Sequence, residues 1–241
     1  VSEFFCPIEE RVTTTELPER LLSGLAGGVL VKGHGALEIL GEPRHGRLLM
    51  AHGAGAGQDS AFLKRVRVAL ANKGVQTLAI EFDYMRQMRR EARRRPPPRI
   101  DRLVDELSRW CDLVTHNDLS APWLGGKSMG ARAASLLAAR DQAAGLVLLG
   151  YPFHPSAKPD ALRLSHWPLL ACPTLVVQGS RDPFGSREEL ASYDLWGASV
   201  HILEDGDHDW KPRRASGRRQ DELIDEGAAV VAAFMSEAKT R

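Results

Sequence analysis

Gly126-Lys127-Ser128-Met129-Gly130 is the stretch on which the reading of this chain turns. A short apolar run at residues 122–124 precedes it, and an alanine-rich run over residues 129–140 follows. The first suits a buried strand and the second a helix, so Ser128 stands in a sharp strand-to-helix turn. There the serine backbone is strained, and side chains at 126 and 130 would collide with the neighbouring strand and helix, which favours glycine at both positions. The helix N-terminus beneath supplies partial positive charge where an attacking hydroxyl would create negative charge.

Outward from that turn, short apolar strands alternate with longer helical stretches, the pattern expected when helices cover both faces of a mostly parallel sheet. Residues 28–32 and 37–40, joined by Gly33-His34-Gly35, predict an antiparallel hairpin at the sheet edge. Residues 48–51 read as the first buried strand, followed by strands at 75–82, 145–149, 174–177 and 199–203. Helical spacing marks 60–72, 101–115 and 129–140, and residues 220–238 read as a closing helix. The expectation is an α/β three-layer sandwich forming one domain over residues 1–241, with the edge hairpin in the first 46 residues.

Composition narrows the function classes. The 241 residues are 43% hydrophobic and 26% charged, ordinary globular values. A formal net charge of +1 gives no general case for nucleic acid or an anionic membrane. Three cysteines, Cys6, Cys111 and Cys172, form no CxxC pair, which disfavours a disulfide framework or a zinc site and suits free thiols in a reducing cytoplasm. Neither a secretory leader nor 18 uninterrupted apolar residues is visible.

A serine hydroxyl near neutral pH needs a base to take its proton, an acid to orient that base, and donors for the oxyanion that forms. His208, in the loop after the last strand, is the candidate base. Asp182, in the turn after the preceding strand, is the candidate acid, with Asp205, Asp207 and Asp209 as alternatives. The order Ser128, Asp182, His208 is one of several that place the same groups together on unrelated folds. The backbone N–H of Met129 and that of Ala54, within His52-Gly-Ala-Gly-Ala-Gly57, are the candidate oxyanion donors. Tyr84, Tyr151, Phe153, His154, Phe184 and Trp210 flank these loops and are candidate walls of the substrate pocket. None of this chemistry calls for a metal or an organic cofactor.

Two other features weigh less. Gly126-Lys127-Ser128 imitates the end of a phosphate-binding loop, but that motif needs glycine five positions earlier, where Ala121 stands. Residues 85–99 contain Arg86, Arg89, Arg90, Arg93, Arg94, Arg95 and Arg99 before and after a Pro96-Pro97-Pro98 run. A solvated loop is the plain reading, and a basic rim that meets an anionic substrate or an acidic partner is the functional one.

The blocks HGAGAGQDS (52–60), GGKSMGARAAS (125–135), LGYPFHPSAKPD (149–160), VVQGSRDPFG (176–185) and DGDHDWKPR (205–213) resemble small α/β-hydrolase-fold proteins close to the dienelactone-hydrolase-like group. The resemblance runs from about residue 47 to 235; the first 46 residues lie outside it. It implies a serine hydrolase using Ser128, Asp182 and His208 on a small carboxylic ester. Dienelactone hydrolases themselves use cysteine, so the serine separates this chain from their substrate. An amidase or peptidase would use the same groups, and some relatives of this group are non-catalytic scaffold subunits, for which the arginine-rich segment would be the contact. About 24 residues, 150–173, separate two strands, enough for a crossover with one helix and too few for a large helical cap.

Overall fold

The computed structural model describes residues 3–115, 120–141 and 143–238. Its centre is set by one strand. Leu48, Leu49, Met50 and Ala51 are all fully buried, because the strand that carries them is covered on both faces. Side chains alternate along a strand, so Leu48 and Met50 enter one hydrophobic cluster while Leu49 and Ala51 enter the other.

The described residues form a nine-stranded sheet: β1 Glu10–Val12, β2 Gly27–Val31, β3 Gly35–Leu40, β4 Gly46–Ala51, β5 Val75–Ile80, β6 Trp123–Lys127, β7 Leu146–Leu149, β8 Thr174–Gly179 and β9 Ser199–Leu203. Their spatial order is β1-β2-β3-β5-β4-β6-β7-β8-β9. All neighbours pair in parallel except β2 with β3 and β3 with β5. The helices are α1 Leu17–Leu22, α2 Ala61–Asn72, α3 Asp83–Glu91, α4 Ile100–Thr115, α5 Met129–Arg140, α6 Arg187–Leu190 and α7 Gln220–Ala238.

One face of the sheet packs on α2 and α7 through Phe62, Leu63, Val66, Leu70, Leu223, Ile224 and Val231. The other packs on α4 and α5 through Leu103, Val104, Leu107, Trp110 and the small residues Ala131, Ala133 and Ala134, whose short side chains let α5 lie close to the strands. This is the expected three-layer α/β architecture. None of the helices among the described residues is long and apolar enough to cross a membrane.

Several expectations are corrected. The hairpin β2–β3 is not the sheet edge, because β1 pairs outside β2; three residues are too few to show a strand period. β5 stops at Ile80, and the chain turns at Phe82 into α3. The first part of the arginine-rich segment is therefore helix, not loop. Tyr84 and Met85 bury one side of it. Residues 150–173, long enough for a crossover with one helix, contain only a 3₁₀ turn, Trp167–Leu169. Pro152, Pro155, Pro159, Pro168 and Pro173 interrupt that stretch and remove helical donors.

Candidate active site

The sheet has one topological switch point. From β4 the chain runs to β5 on one side, and then crosses to β6 on the other. Loops leaving the C-terminal ends of β4 and β6 therefore diverge and open a crevice between them, the usual ligand position in an open parallel sheet. Ser128 leaves β6 and the His52–Gly57 loop leaves β4, so both border that crevice.

Ser128 has φ 54° and ψ −114°, outside the ordinary helix and strand regions. Its N–H donates to the Leu149 carbonyl at 3.0 Å, which holds the turn against the end of β7. A Cβ on Gly126 would lie 2.3 Å from the Ala51 carbonyl oxygen, and one on Gly130 would lie 2.4 Å from the same atom. Both glycines thus answer to the end of β4, which passes directly under the turn. Met129 is the first residue of α5, so its N–H has no intrahelical acceptor and remains for a ligand.

His52 organises the opposite wall. The ring is fully buried; Nδ1–H donates to the Gly53 carbonyl at 2.7 Å, and Nε2 accepts the Phe82 N–H at 3.1 Å. That pattern requires the neutral imidazole, and burial lowers its pKa to about 4. The Tyr84 hydroxyl also reaches the Gly53 and Ala54 carbonyls, at 3.4 and 3.2 Å. In a trans peptide C=O and N–H point in opposite directions, so with the Gly53 carbonyl turned towards His52 and Tyr84 the Ala54 N–H faces away from them. Ala54 and Ser128 line the same pocket.

On the third side stands His208. Its Nδ1–H donates to Asp182 Oδ2 at 2.7 Å, and Asp182 Oδ1 accepts the Phe184 N–H at 2.9 Å. Asp182 is 1% exposed, so its carboxylate is committed to these two partners. With Nδ1 carrying the proton, Nε2 is the basic nitrogen. The Phe184 ring packs on the imidazole with centroids 4.6 Å apart. The alternative acids are engaged elsewhere: Asp205 with Arg181 and Arg213, Asp207 with the Asp209 and Lys211 N–H groups, and Asp209 with Lys127.

These walls enclose an open pocket of about 390 Å3, lined by Gly53 to Ala56, Ser60, Phe62, Leu63, Lys127, Ser128, Phe184, His208 and Asp209. Of the aromatic candidates only Phe184 lines it. Tyr84 braces the His52–Gly57 loop from behind. Tyr151 and Phe153 are fully buried against Trp167, and Trp210 is core against Phe62. His154 is buried with Nε2 3.1 Å from Glu189 Oε1. Sequence reasoning missed Ser60, Phe62 and Leu63, which enter because the first turn of α2 follows the glycine-rich loop. It also set Lys127 aside, although this residue lines the pocket; a lysine beside the serine in GxSxG was the available signal. Burial pulls the Lys127 pKa down, against the opposing pull of Asp209 and Asp182. The phosphate-loop imitation gains nothing from the structure. Ala121 precedes an ordinary strand, and residues 117–119 lie outside the described residues.

The sequence of the "Alpha/beta hydrolase domain" family matches residues 44–236. The chain belongs to the α/β-hydrolase family. Within that family, its fold is similar to that of dienelactone hydrolase from Anabaena variabilis, at 23% identity and TM-score 0.64 over 88% of this chain and 96% of that one. Est1E from Butyrivibrio proteoclasticus superposes with TM-score 0.64 at 14% identity, over 90% and 99% of the two chains. An a/b serine hydrolase without lid from Xanthomonas campestris gives TM-score 0.58 at 16% identity, over 84% and 92%. No curated protein matches the chain. With a 3₁₀ turn and no α-helix in residues 150–173, this α/β-hydrolase carries no helical cap in that segment.

Proposed function

We propose that this α/β-hydrolase is a serine esterase that cleaves small carboxylic esters through an acyl-enzyme on Ser128. The observation that carries the reading is the Asp182–His208 bond of 2.7 Å at the edge of the pocket that Ser128 lines. Asp182 fixes the tautomer in which His208 Nε2 can take a proton, and Ser128 supplies the hydroxyl.

In this reading Ser128 Oγ attacks the ester carbonyl as its proton passes to His208 Nε2. The oxyanion takes hydrogen bonds from the Met129 and Ala54 N–H groups, aided by the α5 dipole. His208 returns the proton to the departing alkoxide, leaving an acyl group on Ser128. Water, deprotonated by the same nitrogen, then releases the acid. A pocket of about 390 Å3 walled by Phe62, Leu63 and Phe184 suits a small apolar acyl group. Unpaired thiols at Cys6, Cys111 and Cys172 fit a cytoplasmic enzyme.

A fluorophosphonate probe tests this directly: it should attach to Ser128. The Ser128→Ala variant should hydrolyse a short acyl ester at least about a thousandfold more slowly. Attachment at another residue, or unchanged turnover in the variant, refutes the proposal.

A further inference from the structure

The arginine-rich segment contributes to a second site. Residues Asp83, Arg86, Gln87 and Arg90 fall on one face of α3 at helical spacing, and Arg102, Asp105, Glu106 and Arg109 repeat that spacing on α4. The two faces border an open groove of about 570 Å3, which Arg95, Pro96 and Pro98 of the connection also line. Five arginines, Arg86, Arg90, Arg95, Arg102 and Arg109, therefore border one concavity.

The carboxylates nearby do not balance them. Asp83 is paired with Arg86, Glu91 with Arg95, and Asp105 with Arg140 of α5. Glu106 accepts the Asp83 N–H at 2.6 Å, and its burial beside Asp83 pushes its pKa up to about 7, so it is only partly charged at neutral pH. Among the described residues no carboxylate lies within ion-pair distance of Arg90, Arg102 or Arg109, although Arg90 acts on Glu91 and Arg109 on Glu106 at longer range. The sequence run itself does not make this arrangement. Arg89 leaves it to pair with Asp59 and Glu81, and Arg93, Arg94 and Arg99 do not line the groove, whereas Arg102 and Arg109 come from beyond it.

We propose that the groove between α3 and α4 binds a small polyanion bearing at least two phosphate groups, held by Arg90, Arg102 and Arg109. Guanidinium forks match phosphate oxygens two at a time, and several converging forks favour a ligand with more than one phosphate. The volume is in the range of small-molecule sites. The groove lies on the far side of Tyr84 from the pocket of Ser128, so this binding is separate from the esterase reading.

Isothermal titration of the full chain with inorganic pyrophosphate and tripolyphosphate, at about 0.15 M salt, tests the proposal. The expected result is saturable binding near one site per chain, tighter for tripolyphosphate. Arg90→Gln, Arg102→Gln and Arg109→Gln should each weaken it about tenfold, since glutamine keeps a helix-compatible stem and loses the charge. Arg93→Gln and Arg94→Gln should leave it unchanged. No saturation below about 10 mM, citrate binding as tightly as tripolyphosphate, or equal loss in the Arg93 and Arg94 variants would overturn it. Ser128→Ala should bind as wild type does, so a failed esterase assay and a failed titration remain distinguishable.

Discussion

The Lys127 ammonium lies 3.3 Å from the Asp209 carboxylate and ties the residue before Ser128 to the residue after His208. The pair is lopsided: the lysine side chain is 6% exposed and the aspartate 62%. Removing Asp209 leaves a buried ammonium with less compensation, while removing Lys127 leaves a carboxylate that water can solvate. Asp209→Ala should therefore cost about 1–2 kcal/mol. Lys127→Met, whose stem can pack on Phe62, should cost less or stabilise. Chemical unfolding of both variants at pH 7 measures the order, and the reverse order would contradict this account.

Asp182→Asn isolates the tautomer argument. An asparagine amide facing Nδ1 donates where the carboxylate accepted, which moves the imidazole proton to Nε2 and removes the base. The fall in kcat on a short ester should be about a thousandfold to ten-thousandfold, with little change in KM or thermal stability. A loss below tenfold would mean that the 2.7 Å bond does not set the protonation of His208.

Gly130 and Gly55 form a matched pair of alanine tests. A Cβ at Gly130 would come within 2.4 Å of the Ala51 carbonyl and 2.7 Å of that of His52, and backbone oxygens cannot move aside without parting β4 from β6. Gly130→Ala should lose about 3 kcal/mol or more in urea unfolding. At Gly55 a Cβ meets nothing within 4 Å, so Gly55→Ala should stay within about 0.5 kcal/mol.

Acid stability should depend on His52 and His166. Burial lowers the pKa of each from 6.5 to about 4, with the Arg132 charge also acting on His166. The unfolded chain thus binds protons that the folded chain refuses. The contribution is full above about pH 6.5 and disappears as pH falls towards 4, with His52 alone contributing on the order of 3 kcal/mol. His166→Gln should flatten the acid limb of a stability profile between pH 4 and 8. An unchanged limb would show that His166 is not one of the groups that drive it.

The parts of this protein legible in its sequence are those with local causes. The Met129–Arg140 and Gln220–Ala238 helices and the Ser199–Leu203 strand stand where periodicity and composition put them, because their apolar spacing repeats over enough residues to register. The candidates Ser128, Asp182 and His208 could be named because each follows a readable strand. β1 and α3 were not legible. β1 has three residues, and α3 reads as a solvated charge run until Tyr84 and Met85 find the core and Arg89 bridges Asp59 and Glu81.

Side-chain direction around the site had little local signal. Tyr151, Phe153 and Trp210 follow the right strands yet face the core, and Phe62 and Lys127 reach the pocket from positions that looked structural or misleading. Sequence alone determined the alternation of strands and helices, the strained turn at Ser128 and the order of its candidate partners, since these rest on neighbours in the chain. Tertiary structure decided which rings wall the pocket, that Asp182 rather than Asp205, Asp207 or Asp209 meets His208, and that arginines from two helices converge on one groove. Those outcomes depend on where distant segments cross, and no local preference of the backbone encodes that.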